Sequence, residues 1–85
     1  MDITVTISDV DVKALSNDLA DINSWVQEAV KGKIYACKTR MIAEWQPKLF
    51  EDPEVNNIPA DDAEFINFVV ARDDYKNKAQ RQSEE

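Results

Sequence analysis

The sequence of 85 residues contains no histidine and only one cysteine. Without histidine, the chain lacks the side chain that most often serves as a general base or a metal ligand. A single cysteine, Cys37, excludes a disulfide within the chain and fits an intracellular, reducing setting. Because the sequence also offers no nucleophile–base pair, phosphate-binding loop or cofactor motif, we predict a protein that is not an enzyme and that binds no cofactor or metal.

Long apolar runs are also missing from the sequence. No stretch reaches the roughly 18 apolar residues that a membrane-spanning helix needs. The N-terminus lacks the charged region followed by an apolar region that marks a secretory signal peptide. We therefore expect neither a membrane partner nor secretion by a signal peptide.

Positive charge is scarce, since 10 Lys and Arg residues stand against 17 Asp and Glu residues and the net charge is −7. A surplus of acidic groups repels phosphates, which argues against a nucleic-acid partner. The charge is also uneven, with −4 on residues 1–21, +3 on residues 22–48 and −6 on residues 49–85. The sequence thus places a basic segment between two acidic ones.

The longest pattern in the sequence is that of an amphipathic helix over residues 22–48. Its apolar residues recur every three or four positions, which is typical of one face of an α-helix. They are Ile22, Trp25, Val26, Ala29, Val30, Ile34, Cys37, Met41 and Trp45. We predict that the helix continues through Gly32, with a helix end at this glycine as the alternative. Cys37 is predicted to be a buried structural residue, and both tryptophans are predicted to pack in the core, with one at an interface as the alternative.

A strand pattern precedes this helix, because residues 2–8 alternate between β-branched apolar and polar side chains. In a strand, Ile3, Val5 and Ile7 would lie on one face, and Thr4 and Thr6 would lie on the opposite face. No second alternating run exists to satisfy the backbone groups of this strand. We therefore predict that it pairs with a strand of another chain, with a short strand at Val55–Ile58 as the alternative.

Two further helices are predicted from their capping residues. Ser8 is a favourable N-cap for a short helix that ends by Ala20. Asp61, with Glu64 three residues later, is a favourable N-cap for a last helix. The apolar side of the last helix would include Phe65, Ile66, Phe68, Val69, Val70 and Tyr75.

Pro47 is predicted to stop the long helix within a residue or two, which leaves residues 49–60 as a loop. The predicted fold class is therefore mainly α. It consists of one N-terminal β-strand followed by three helices, in the order strand, helix, long helix, loop and helix. We predict one domain over residues 1–78 and a polar, frayed tail over residues 79–85.

The order of strand, short helix and longer helix over residues 2–34 resembles the ribbon–helix–helix family of dimeric DNA-binding repressors. The resemblance implies a strand shared between two copies, with its outward residues in the major groove of DNA. The matching positions are Asp2, Thr4 and Thr6 on the strand, and Asn23 and Ser24 at the start of the second helix. This chain carries acidic residues where that family favours Lys or Arg.

A second resemblance covers most of the chain and is carried by the residues from Ala14 to Val30, which include the segments ALSNDL and NSWVQEAV. These segments are similar to small uncharacterised proteins encoded by bacteriophages. The resemblance implies a virion-associated or accessory phage protein, located in the virion or in the host cytoplasm.

Together these patterns predict a non-enzymatic module for protein–protein interaction and assembly, of a phage structural or accessory kind. Its partner would be a second copy bound through the N-terminal strand, or a virion protein. The alternative is a dimeric ribbon–helix–helix transcriptional regulator that binds DNA. The residues predicted to carry the interaction are Ile3, Thr4, Val5, Thr6, Ile7, Trp25, Phe65 and Phe68.

Overall fold

The computed structural model describes residues 1–84, which contain four α-helices. In chain order the helices are α1 (Asp9–Asp18), α2 (Ile22–Glu51), α3 (Asp62–Val70) and α4 (Lys78–Ser83). The chain divides into two compact units, the first of which is Met1–Ile34, whereas the second begins at Tyr35. The predicted mainly-α character is confirmed. None of the described helices combines the length and the apolar character that crossing a lipid bilayer requires.

The predicted fold class is wrong in its first element, because residues 1–8 form no β-strand. No strand occurs anywhere in residues 1–84, so the alternative strand at Val55–Ile58 is wrong as well. Alternation tells which side chains would share a face, but a strand also needs a neighbour for its backbone N–H and C=O groups. Residues 1–84 supply no such neighbour, and residues 1–8 remain outside regular secondary structure.

Helix α1 begins where the sequence predicts. The Ser8 hydroxyl accepts a hydrogen bond from the Asp11 N–H at 3.2 Å, and acidic side chains occupy the first turn. Negative charge at this end is favourable because the helix dipole places partial positive charge there. The helix closes at Leu19, whose N–H donates to the Leu15 carbonyl at 2.8 Å.

Helix α2 runs without interruption through Gly32, as predicted. The predicted stop at Pro47 is wrong, because the helix continues to Glu51. A proline inside a helix costs about 3 kcal/mol, since its ring has no N–H and crowds the carbonyl four residues earlier. Trp45 and Leu49, on either side of this proline, are both buried, and their burial offsets that cost.

The buried core lies in the second unit and joins α2 to α3. Trp45 and Leu49 of α2 pack with Phe65 and Val69 of α3, and these four are the buried hydrophobic residues of the described chain. Each pair is spaced four residues apart, which places its two side chains on one face of the helix. Partly buried side chains surround this core: Met41, Ile42, Val55, Ile58, Phe68 and Tyr75.

Helix α3 begins at the predicted cap and ends earlier than its apolar pattern suggests. The Asp61 carboxylate accepts from the Glu64 N–H at 3.1 Å. The helix ends at Val70, and Tyr75 packs against the core from a turn outside the helix. Its ring centroid lies 6.1 Å from that of Trp45.

Helix α4 is a short element that the sequence analysis does not anticipate. It spans Lys78–Ser83, so the segment predicted as a frayed tail, residues 79–85, begins inside it. The Asn77 side chain accepts from the Gln80 N–H, and the Gln80 side chain accepts from the Asn77 N–H, both at 2.8 Å. This reciprocal capping box satisfies backbone donors that a polar segment would otherwise leave to water.

Arg72 holds together the two segments that follow α2 and α3. Its guanidinium donates to the Asp52 carboxylate at 2.9 Å and to both oxygens of Asp74 at 2.9 and 3.1 Å. The hydrogen bonds from Arg72 lower the pKa of Asp74. For Asp52, the hydrogen bond from the Glu54 N–H lowers the pKa most, and the hydrogen bond from Arg72 lowers it further. The same two carboxylates raise the pKa of Arg72, with Asp74 as the main cause.

Replacing Arg72 with methionine is expected to destabilise the second unit in a pH-dependent way. Because the folded-state pKa values of both aspartates lie below the ordinary 3.8, the stabilisation is fully present above that pH and is lost as the pH falls through the lowered values. The two proteins should therefore differ in unfolding free energy at neutral pH and converge in strong acid. Denaturant titrations at both pH values measure this difference.

Lys76→Met serves as the control for the Arg72 variant. Lys76 forms an ion pair with Glu84 between side chains that are about half exposed, and exposed pairs contribute little to stability. This substitution should change the unfolding free energy less than Arg72→Met does. An Arg72→Met protein as stable as the parent at neutral pH would contradict the role assigned to this cluster.

Candidate protein interaction surface

The strand residues predicted to bind a partner lie in the segment that precedes α1. Ile3 and Val5 are among the most exposed apolar residues, Thr4 and Thr6 are also exposed, and Ile7 is partly buried. The structure brings them together only as sequence neighbours, because residues 1–8 belong to no sheet. Their role in an interaction stays a prediction, without the strand that motivated it.

The three aromatic residues predicted as anchors occupy different environments. Phe65 is buried in the core of the second unit, and Phe68 is partly buried against that core. Trp25 lies in the first unit and is 55% exposed. Of the three, Trp25 alone presents about half of its surface for contact with another molecule.

An apolar face of α2 lies exposed in the first unit. We call it the α2 apolar face, and it consists of Val26, Val30 and Ile34, with the exposed Trp25 beside it at the position before Val26. The three residues of the face are spaced four apart and so lie one above the other along the helix. Val30 is 53% exposed, and the other members of the face are exposed to similar or lesser degrees.

The first unit has no buried side chain over residues 1–34. Its best-covered apolar residues are only partly buried: Ile7, Leu15, Leu19 and Ile22. A helix with an apolar face is stabilised in water mainly by burying that face against another element. The first unit therefore presents apolar side chains that its own residues do not cover.

Charged side chains are arranged asymmetrically around this face. Lys33 is three residues after Val30 and seven after Val26, which places it on the same side of the helix, and it forms no ion pair with residues 1–84. Lys31 pairs instead with Glu28 at 3.6 Å, so these two charges satisfy each other. The α2 apolar face thus carries one positive charge that the described chain leaves without a counterion.

Helix α1 presents the opposite character at its start. We call residues Asp9, Val10 and Asp11 the α1 acidic turn, in which Val10 is 72% exposed and an exposed aspartate lies on either side of it around the helix. Neither aspartate side chain forms an ion pair within residues 1–84. This turn is therefore apolar and negatively charged, whereas the α2 apolar face is apolar and positively charged.

Cys37 is exposed, so its predicted burial is wrong. The prediction rested on its helical spacing from Ile34 and Met41, of which Ile34 is itself about half exposed. Periodicity places these residues on one face but does not tell whether another element covers it. The apolar pattern of α2 is longer than the part of it that the chain buries, which is the segment near Trp45 and Leu49.

The importance of Val26, Val30 and Ile34 as surface residues is missed when the sequence is considered alone. Their spacing is visible in the sequence, but it is equally typical of a core helix. The sequence offers no signal that separates the two cases, because periodicity does not show whether another element covers the face.

Comparison with known proteins gives no family model, no curated protein and no solved structure that matches this chain.

Proposed function

We propose that this chain is a non-enzymatic module for protein–protein interaction, and that the α2 apolar face is its principal contact surface. The observation that supports the proposal is a row of half-exposed apolar side chains in a unit without a buried residue. Contiguous exposed apolar patches on small proteins mark surfaces that bind other proteins. Trp25 adds the kind of large aromatic side chain that contributes most of the energy at such contacts.

More specifically, we propose that the chain is a phage structural or accessory protein that acts in the virion or in the host cytoplasm. It is supported by the resemblance of residues Ala14 to Val30 to small phage-encoded proteins. A structural protein of this kind works by assembly and needs no catalytic group, which agrees with the absence of a nucleophile–base pair from the sequence. Mass spectrometry of purified particles and of the soluble fraction distinguishes a virion protein from an accessory one.

The alternative of a ribbon–helix–helix regulator has no observation in its favour. That resemblance depends on a strand over residues 2–8, and these residues form no strand. The net charge of −7 also opposes binding to phosphates. We therefore do not carry the regulator forward as a second function.

Replacing Val30 with glutamine tests the proposed surface. Burial of a valine side chain is worth roughly 1.5–3 kcal/mol, and a glutamine buried in its place would need new hydrogen-bond partners. Proteins that copurify with the tagged chain from cells that produce it should therefore decrease by about tenfold or more. Quantitative mass spectrometry of the copurified proteins measures the loss.

Val70→Gln is the matched control, because Val70 is 50% exposed against 53% for Val30 and lies at the end of α3. Glutamine is a good helix former, so neither substitution should alter the helical content. Proteins lost with Val30→Gln should be retained with Val70→Gln. Equal retention by both variants, or loss with the Val70 variant alone, would contradict the assignment of the α2 apolar face.

A further inference from the structure

We propose that the partner of the α2 apolar face is a second copy of this chain, bound so that the α1 acidic turn of each copy packs on the α2 apolar face of the other around Lys33. This inference rests on the proposed function and names its partner. It is carried by the complementary charge and shared apolar character of the two surfaces. Both belong to the first unit, whose side chains its own residues do not bury.

Lys33 determines what kind of surface can cover the α2 apolar face. A partner that buries Val26 and Val30 also removes water from this neighbouring ammonium group. Withdrawing a charge from water without a counterion is unfavourable. A covering surface that is apolar and also carries a carboxylate close to Lys33 avoids this cost.

The α1 acidic turn meets both requirements. Val10 supplies an exposed apolar contact, and Asp9 and Asp11, on either side of it, supply carboxylates without ion pairs in the described chain. The turn lies at the start of α1, where the helix dipole stabilises these negative charges in the folded state. The same chain thus carries both the surface that needs a partner and one that fits it.

Two different complementary surfaces on one chain can form either open head-to-tail chains or a closed two-fold dimer. The proposal is the closed dimer, and assemblies larger than a dimer would contradict it. In a closed dimer the same contact is made twice, once from each copy, so no surface is left open for further growth. Each of the two equivalent contacts would combine apolar burial with at least one pair of opposite charges. Electrostatic complementarity of this kind selects the correct partner and orientation more than it adds affinity.

The first measurement is sedimentation equilibrium of the full chain over a range of micromolar concentrations. A reversible dimer is expected, and Lys33→Asp should raise its dissociation constant about tenfold or more by placing like charges together. The double substitution Asp9→Lys with Asp11→Lys should have the same effect. Lys31→Asp is the control, because Lys31 already pairs with Glu28 and should leave the dissociation constant nearly unchanged.

Mixing the two weakened proteins is the decisive experiment. In the mixed dimer the acidic turn of the Lys33→Asp protein meets an unchanged Lys33, and the lysine-bearing turn of the other protein meets Asp at position 33. Both contacts are again complementary, so an equimolar mixture should recover dimers at a concentration at which each variant alone is mainly monomeric. Recovery also shows that both variants fold, which circular dichroism of each separate protein confirms.

The outcomes separate this inference from the proposed function. A parent protein that remains monomeric at every concentration, or a mixture that stays monomeric although both variants are folded, overturns the paired-surface dimer. If Val30→Gln still loses a different copurifying protein under those conditions, the interaction function stands with another partner. If Val30→Gln retains every copurifying protein and also dimerises as tightly as the parent, the α2 apolar face is not the contact surface and both proposals fail.

Discussion

Replacing Leu49 with alanine is expected to unfold much of the second unit. Leu49 is 1% exposed and belongs to a core of four residues, so no large core remains to absorb the cavity. Truncation of a buried leucine to alanine costs about 2–5 kcal/mol. A unit of this size has a total stability of the same order, at about 0.05–0.15 kcal/mol per residue. Guanidinium denaturation followed by circular dichroism measures the loss.

Phe50→Ala provides a control at the next position of the same helix. Phe50 is 71% exposed and lies outside the core, so its removal creates no internal cavity. We expect a change in unfolding free energy within about 0.5 kcal/mol. If both alanine variants lost similar stability, the core would not be centred on Leu49 as the structure has it.

Replacing Gly32 with proline is expected to have the second-largest effect, because α2 is continuous at this position. Proline would remove the N–H that donates to the carbonyl of Glu28, and it would disfavour helical geometry at Lys31. A proline in a helix interior costs about 3 kcal/mol relative to alanine. Far-ultraviolet circular dichroism should show a loss of helix, and denaturant titration should show reduced stability.

Gly32→Ala is expected to act in the opposite direction at the same position. No residue has a positive φ in the described chain, and a Cβ added at Gly32 would meet nothing within 4 Å. Alanine should therefore stabilise α2 by about 1 kcal/mol, since it has less backbone entropy to lose on folding. A lower unfolding free energy for Gly32→Ala than for the parent, measured at low protein concentration, would contradict the helical conformation and the free space that the structure gives to Gly32.

Local signals predict where α1 and α3 begin and that α2 is continuous through Gly32. Ser8 and Asp61 each have a side chain that accepts from the N–H three residues later, and both cap helices as predicted. Continuity through Gly32 follows from the apolar residues that recur on both sides of it. These features depend on residues within one or two turns, so the sequence contains all the information that they require.

Features that depend on contacts between residues far apart in the sequence are not predicted correctly. The strand over residues 2–8 needs a neighbour that alternation cannot supply, and the helix passes Pro47 because Leu49 is buried against α3. Cys37 and Trp25 lie on a correctly identified stripe, but periodicity does not reveal which part of a stripe the chain itself covers. For the same reason the candidate surface becomes visible only from the exposure of its side chains.

Helix α1 has ten residues and no buried side chain. Isolated helices of fewer than about 12–15 residues are marginal in water, because the first turn is costly to form. Much of the free energy that keeps α1 ordered must therefore come from whatever covers its apolar side chains. In the proposed dimer, ordering of this helix and binding of the second copy are one thermodynamic event. The affinity of the dimer is then the intrinsic affinity of the ordered helix reduced by the cost of ordering it.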